Sequence, residues 1–221
     1  MIEIFDIMGP IMVGPSSSHT AGAVRIGRMA RTLLGEAPSK VRLFLHGSFA
    51  ETGVGHGTDR ALIAGLLGMA TDDLAIPMSF ELAAERGLSF RFDEMDLRDA
   101  HPNSVLMELE GVDGKELSIQ ACSVGGGRIL VNKIDGVELE FTGNLNTLII
   151  RNVDSRGLLA NVTAALNLVG INVANMSLSR NKKGGVAMMI IEVDEKVPDS
   201  VLHILEPLPG ILDVTYYEKE D

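Results

Sequence analysis

The final third of the chain restricts the fold more than any other feature. Leu148–Asn152 reads as a strand, and Leu158, Val162, Ala165, Leu166 and Val169 then recur at helical spacing before Gly170, a natural stop. Two extended runs, Ile171–Ser179 and Val186–Val193, flank a hairpin turn of composition NKKGG. Pro198 opens a second helix through Val201–Leu205, and Ile211–Tyr217 supplies a last strand. The order βαββαβ within about seventy residues predicts a ferredoxin-like split βαβ unit. No internal repeat or low-complexity tract accompanies it.

Upstream the pattern changes character at Thr142–Asn146, whose TGNLN has turn composition, so a boundary is expected there: one domain over 1–143, another over 146–221. In the first domain a helix is expected from about His19 to Leu34, closed by Gly35 and barred from continuing by Pro38. Val41, Leu43 and Leu45 alternate with Arg42, Phe44 and His46, the mark of a strand from which His46 would point away from the apolar face. Thr58 or Asp59 would cap a helix through Ala61–Ala70, and a shorter helix is expected near Phe80–Arg86. Strands are expected at Leu88–Phe92, Val105–Leu109, Glu116–Ala121, Arg128–Ile134 and Val137–Phe141, with tight turns at Asp113–Gly114 and Asp135–Gly136. The predicted class is α+β, a mixed helix and antiparallel-strand domain followed by the βαββαβ unit.

Charge and cysteine content exclude several functions. The net charge of −11 opposes broad binding to a phosphate backbone, which needs clustered Lys and Arg. Cys122 is the sole cysteine, so the chain alone can hold neither an internal disulfide nor a thiolate-ligated iron–sulfur cluster. No apolar run reaches the ~18 residues of a membrane span, and MIEIFDIMGP lacks the basic and apolar regions of a secretory leader. The expectation is a reduced, cytoplasmic protein.

Four short motifs concentrate the reactive side chains. Gly14-Pro15-Ser16-Ser17-Ser18-His19-Thr20 sets hydroxyls and an imidazole before a helix, where unpaired N–H groups suit an anion; simple capping by one serine is the alternative. In Gly53-Val54-Gly55-His56-Gly57-Thr58-Asp59, alternating glycines give a ligand close access to His56, a natural general base, or merely shape a turn. It is not a dinucleotide fingerprint. Pro102 holds His101 extended in His101-Pro102-Asn103, and the glycines of Ser123–Arg128 suit a bulge or an anion nest. His203, the methionines (Met8, Met12, Met29, Met188, Met189) and the acidic tail Glu218–Asp221 read as structural or solvated residues.

GPSSSHTAGAVRIG, GSFAETGVGHGTDRALIAG, HPNS and SVGGG, in that order, resemble the beta chain of the iron–sulfur L-serine dehydratases. RNVDSRGLLANVTAALNLVGINVANMSLSR resembles an ACT domain, so the likeness spans essentially the whole chain. The first domain is also similar to the allosteric substrate-binding domain of some phosphoglycerate dehydrogenases. The resemblance implies conversion of L-serine to pyruvate and ammonia without pyridoxal phosphate. A 4Fe–4S cluster would act on the β-hydroxyl and a base would take the Cα proton. Because this sequence has one cysteine, the cluster falls to a separate alpha chain.

On that resemblance His56 is the candidate base, followed by His19 and His101 as catalytic candidates. Ser16, Ser18, Thr20, Thr58 and Asn103 are candidates for holding the substrate. In the ACT region, Asn152, Asp154 and Gly157 occupy the loop where such modules bind an amino acid; pairing of ACT sheets into a dimer is the equal alternative. No metal ligand is assigned to this chain. A regulatory or sensing subunit without catalytic residues, and a purely structural one, are the rival readings of the whole.

Overall fold

The computed structural model describes residues 11–219; Met8 and the end of the acidic tail lie outside them. The chain forms two compact units that divide between Asp135 and Gly136, upstream of the Thr142–Asn146 turn.

The first unit opens with a π-helical turn, Ser17–Ala21, that runs directly into α1 (Gly22–Leu34). Leu33 and Leu34 are buried at its end, and Gly35 closes it at φ 78°, which a glycine adopts without strain. Strand β1 (Pro38–Leu45) leads into α2 (Ser48–His56), α3 (Thr58–Leu66), α4 (Ser79–Glu85) and β2 (Ser89–Glu94). These intervening helices allow β1 and β2 to pair in parallel, which no tight turn permits. Strands β3 (Ser104–Gly111), β4 (Glu116–Gly125) and β5 (Arg128–Ile134) continue the sheet as an antiparallel meander, in order β2-β1-β3-β4-β5.

Helix α1 lies on β4 and β5 and crosses α3. At that crossing Gly27 and Gly65 meet backbone to backbone. A Cβ on Gly65 would overlap the Val24 carbonyl and come within 2.9 Å of Gly27 Cα. Ile26, Met29, Leu34, Leu62, Ile63 and Leu66 fill the surrounding core with no exposed surface. Burying each such side chain contributes about 1.5–3 kcal/mol.

Two expectations are corrected here. GVGH is not a turn before a helix but the last stretch of one, α2; only Gly57, at φ 71°, breaks the chain before α3. Gly57 rather than Thr58 or Asp59 is therefore the cap residue, and Thr58 is the first residue of a helix that ends at Leu66. Helix-interior glycines cost about 1 kcal/mol each, so Gly53 and Gly55 hid this helix from a propensity reading. Tertiary contacts hold it, beginning with the fully buried Phe49.

The second unit begins with β6 (Val137–Phe141), which packs on β8 (Val173–Arg180) and β9 (Val186–Val193). With β7 (Asn146–Val153), α5 (Leu158–Leu168), α6 (Asp199–Leu205) and β10 (Ile211–Tyr217) it completes βαββαβ, sheet order β10-β7-β9-β8, all neighbours antiparallel. Leu148, Ile150, Met189 and Ile191 from the central strands meet Leu158, Val162, Leu166 and Leu205 from the helices. Both faces of β7 and β9 are largely buried, which explains their nearly unbroken apolar runs.

Candidate functional site

All four motifs of the first unit converge on the π-turn. Ser16 caps it, its Oγ accepting from His19 N at 3.1 Å. The extra residue of a π-turn rotates the following side chains relative to α1 and leaves His19 facing α2. There its Nε2 lies 3.0 Å from Ser48 Oγ and 3.2 Å from Thr52 Oγ1, while its Nδ1 lies 3.4 Å from Ser16 Oγ. Phe49 stands edge-on to the His19 ring at 5.5 Å.

His56 ends the same helix, its ring 5.0 Å from that of His19. Thr20 Oγ1 donates to the His56 carbonyl at 3.3 Å, tying the π-turn to the end of α2. The His56 ring is exposed, whereas His19 is half-buried. Burial, and then the neighbouring His56, lower the His19 pKa; a hydrogen bond at Ser48 opposes them. The net effect favours the uncharged form of the His19 ring.

The other two motifs close the floor. Ser123 is buried against Gly22, where any Cβ would overlap its hydroxyl, and Arg25 Nη1 donates to Gly127 O at 3.0 Å. Gly125, Gly126 and Gly127 all have positive φ, so this turn needs its glycines. Asn103 Nδ2 donates to Ser123 O at 3.5 Å, and Asn103 N donates to His101 Nδ1 at 3.1 Å. Pro102 abuts Gly47, next to Ser48. His101 thus joins the cluster through its backbone loop, with its ring exposed.

Ser16, His19, His56 and Thr20 form a chain of contacts, with Ser18 beside Gly125. Thr58 is completely buried with its Oγ1 unpartnered, so it is not open to solvent. His46 accepts from Leu97 N at 3.1 Å and is outside the cluster. Sequence reading missed Ser48 and Thr52. Their spacing to His56 is i, i+4, i+8, which puts all three on one helical face, but the glycines masked the helix. A groove of about 510 Å³ on β1, β3 and β4, lined by Lys40, Arg42 and Glu108 among others, contains none of these residues.

In the second unit the three loop residues serve different ends. Asp154 Oδ2 accepts from Gly184 N at 2.9 Å and from Arg180 Nη1 at 2.7 Å, clipping the β8–β9 hairpin. Gly157 caps α5 at φ 84°. Asn152 is buried, its Nδ2 donating to Val153 O and its Oδ1 unpartnered.

The Gly184 N–H, then Arg180, lower the Asp154 pKa. A depressed carboxyl pKa stabilises the fold above the unfolded-chain value near 3.9, and that stability is lost as pH falls through the folded value. Asp154→Asn is accordingly expected to weaken the unit at neutral pH and flatten its stability below about pH 4, as urea titrations at several pH values would record. An unchanged acid slope would refute this.

Residues 3–87 match the family described as serine dehydratase beta chain, and residues 146–210 match the ACT domain. A protein of Bacillus subtilis (strain 168) named probable L-serine dehydratase, beta chain, is 42% identical over 96% of each chain. The L-serine dehydratase beta chain of Peptoniphilus asaccharolyticus is 39% identical over 89% of each. A D-3-phosphoglycerate dehydrogenase of Archaeoglobus fulgidus is 28% identical, over 89% of this chain but 37% of its own length.

Proposed function

This chain belongs to the serine dehydratase beta chain family, and we propose that it builds the proton-abstracting half of an L-serine dehydratase site, completed by an alpha chain. The observation that carries the proposal is the pairing of a half-buried imidazole, His19, with an exposed one, His56, amid hydroxyls from separate motifs. In this reading His56 takes the Cα proton of serine, while His19 holds the hydroxyls in place. Ser18, His101 and Asn103 are further candidates for holding the substrate in this reading, whereas Thr20 is buried with its hydroxyl on the His56 carbonyl.

Gly55 supports the idea of an incomplete site. It sits inside α2 at negative φ, and a Cβ there would meet nothing of this chain within 4 Å. A helical glycine that neither packs nor turns leaves room beside His56 for an approaching surface.

A 4Fe–4S cluster does not fit the residues of this chain. Cys122 is its one cysteine and is buried, and among the described residues no group of three His, Cys, Asp or Glu is placed to hold a metal ion. Departure of the β-hydroxyl is therefore assigned to the alpha chain. Residues 1–143 form the dehydratase beta domain in this reading. Residues 146–221 form an ACT domain that pairs with a second copy or senses an amino acid. No helix among the described residues is long and apolar enough to cross a membrane.

Anaerobic assay of serine dehydration with each chain alone and with both tests the proposal. Pyruvate is expected only from the mixture. Turnover by an unaided alpha chain at the full rate would make this chain regulatory or structural and overturn the reading.

A further inference from the structure

The proton inventory around His19 leads one step past its contacts. Thr52 Oγ1 donates to the Ser48 carbonyl at 2.8 Å, the bond a helical threonine makes to the preceding turn. A hydroxyl has one proton, and a carbonyl oxygen can only accept. Thr52 Oγ1 therefore meets His19 Nε2, 3.2 Å away, with a lone pair. Were Nε2 also to present a lone pair, the two would repel. If Nε2 carries the proton, Ser48 Oγ at 3.0 Å and Thr52 Oγ1 both accept from it.

The other side of the ring closes the account. Ser16 Oγ already accepts from His19 N, and its own proton is free to reach Nδ1 at 3.4 Å. Ser48 and Ser16 can each donate or accept, so either tautomer would satisfy them. Thr52 alone discriminates.

We propose that Thr52 is a positioning residue that fixes His19 as the Nε2–H tautomer, with its Nδ1 lone pair turned to Ser16. The tautomer follows from these contacts, and two consequences of it rest on the reading of this cluster as a proton-transfer site. Nε2 cannot serve as a base, which leaves the exposed His56 as the proton-accepting imidazole of the pair. Ser16, donating to Nδ1, is an orienting residue rather than a donor to a substrate carboxylate.

Nitrogen-15 NMR of the full chain at neutral pH reads the tautomer directly, with the His19 ring identified by its loss in His19→Gln. Nε2 is expected at the position of a protonated ring nitrogen and Nδ1 at that of a bare one. In Thr52→Val both resonances should move toward each other, as exchanging tautomers average; Thr52→Ser, which keeps the hydroxyl, should restore the wild-type pattern. A proton on Nδ1 in the wild type, or a Thr52→Val spectrum identical to it, would overturn the assignment. The measurement needs neither serine nor the alpha chain. A correct tautomer in a two-chain mixture that makes no pyruvate would sink the dehydratase reading and leave this one standing.

Discussion

Replacing His56 with alanine should lower turnover of the assembled two-chain enzyme by about 10²–10⁴-fold, the usual contribution of a positioned general base. The size follows from the asymmetry of the imidazole pair. His19 is already engaged at both ring nitrogens, to Ser16 on one side and to Ser48 and Thr52 on the other. His56 is exposed at the end of α2 and held there by a backbone bond from Thr20. Removing its ring leaves the turn in place, because the bond from Thr20 goes to the carbonyl. The fold, and the cluster proposed for the alpha chain, should therefore survive, as circular dichroism and visible absorbance would verify. Near-normal turnover with the cluster intact would remove His56 from the mechanism. The His19→Ala change is expected to act differently, loosening the π-turn from α2 as well as emptying the pocket. Its lost turnover should come with a lower melting temperature.

The βαββαβ part of the second unit was legible in the sequence because each element obeys one period and each turn has its own chemistry, whereas β6 was read as part of the first domain. Leu158, Val162 and Leu166 face a sheet whose strands lie between plain glycine-rich or proline stops. In the first unit the motifs named the reacting groups, yet their assembly could not be read. Nothing in local sequence places Ser123 against Gly22 or Pro102 against Gly47; those contacts span the whole unit. The failure at α2 has a specific cause. Two glycines at positions 53 and 55 lower intrinsic helicity, while the forces that compensate, burial of Phe49 and the hydroxyl bonds to His19, come from elsewhere in the fold. Asking whether Ser48, Thr52 and His56 share a helical face would have recovered it.

The helix that follows this face, α3, crosses α1 with no tolerance. Gly65→Ala should destabilise the first unit by about 3 kcal/mol or more, at the upper end for overpacking. A Cβ there overlaps the Val24 carbonyl and lies 2.8 Å from Arg28 N, while the reciprocal Cβ on Gly27 would overlap the Leu62 carbonyl. These are backbone atoms inside regular helices, so no rotamer change relieves them and α1 must part from α3. The helical preference of alanine over glycine returns only about 1 kcal/mol. For a chain of this size the melting temperature should fall by very roughly 6–12 °C. Gly55→Ala is the matched control, since it makes the same change inside a helix where the new methyl meets open space. It should hold or raise stability by up to about 1 kcal/mol. If both variants melted alike, helix propensity rather than the close approach of α1 and α3 would govern this domain. If Gly55→Ala stayed stable yet lost turnover only beside the alpha chain, the room next to His56 would be room for that partner.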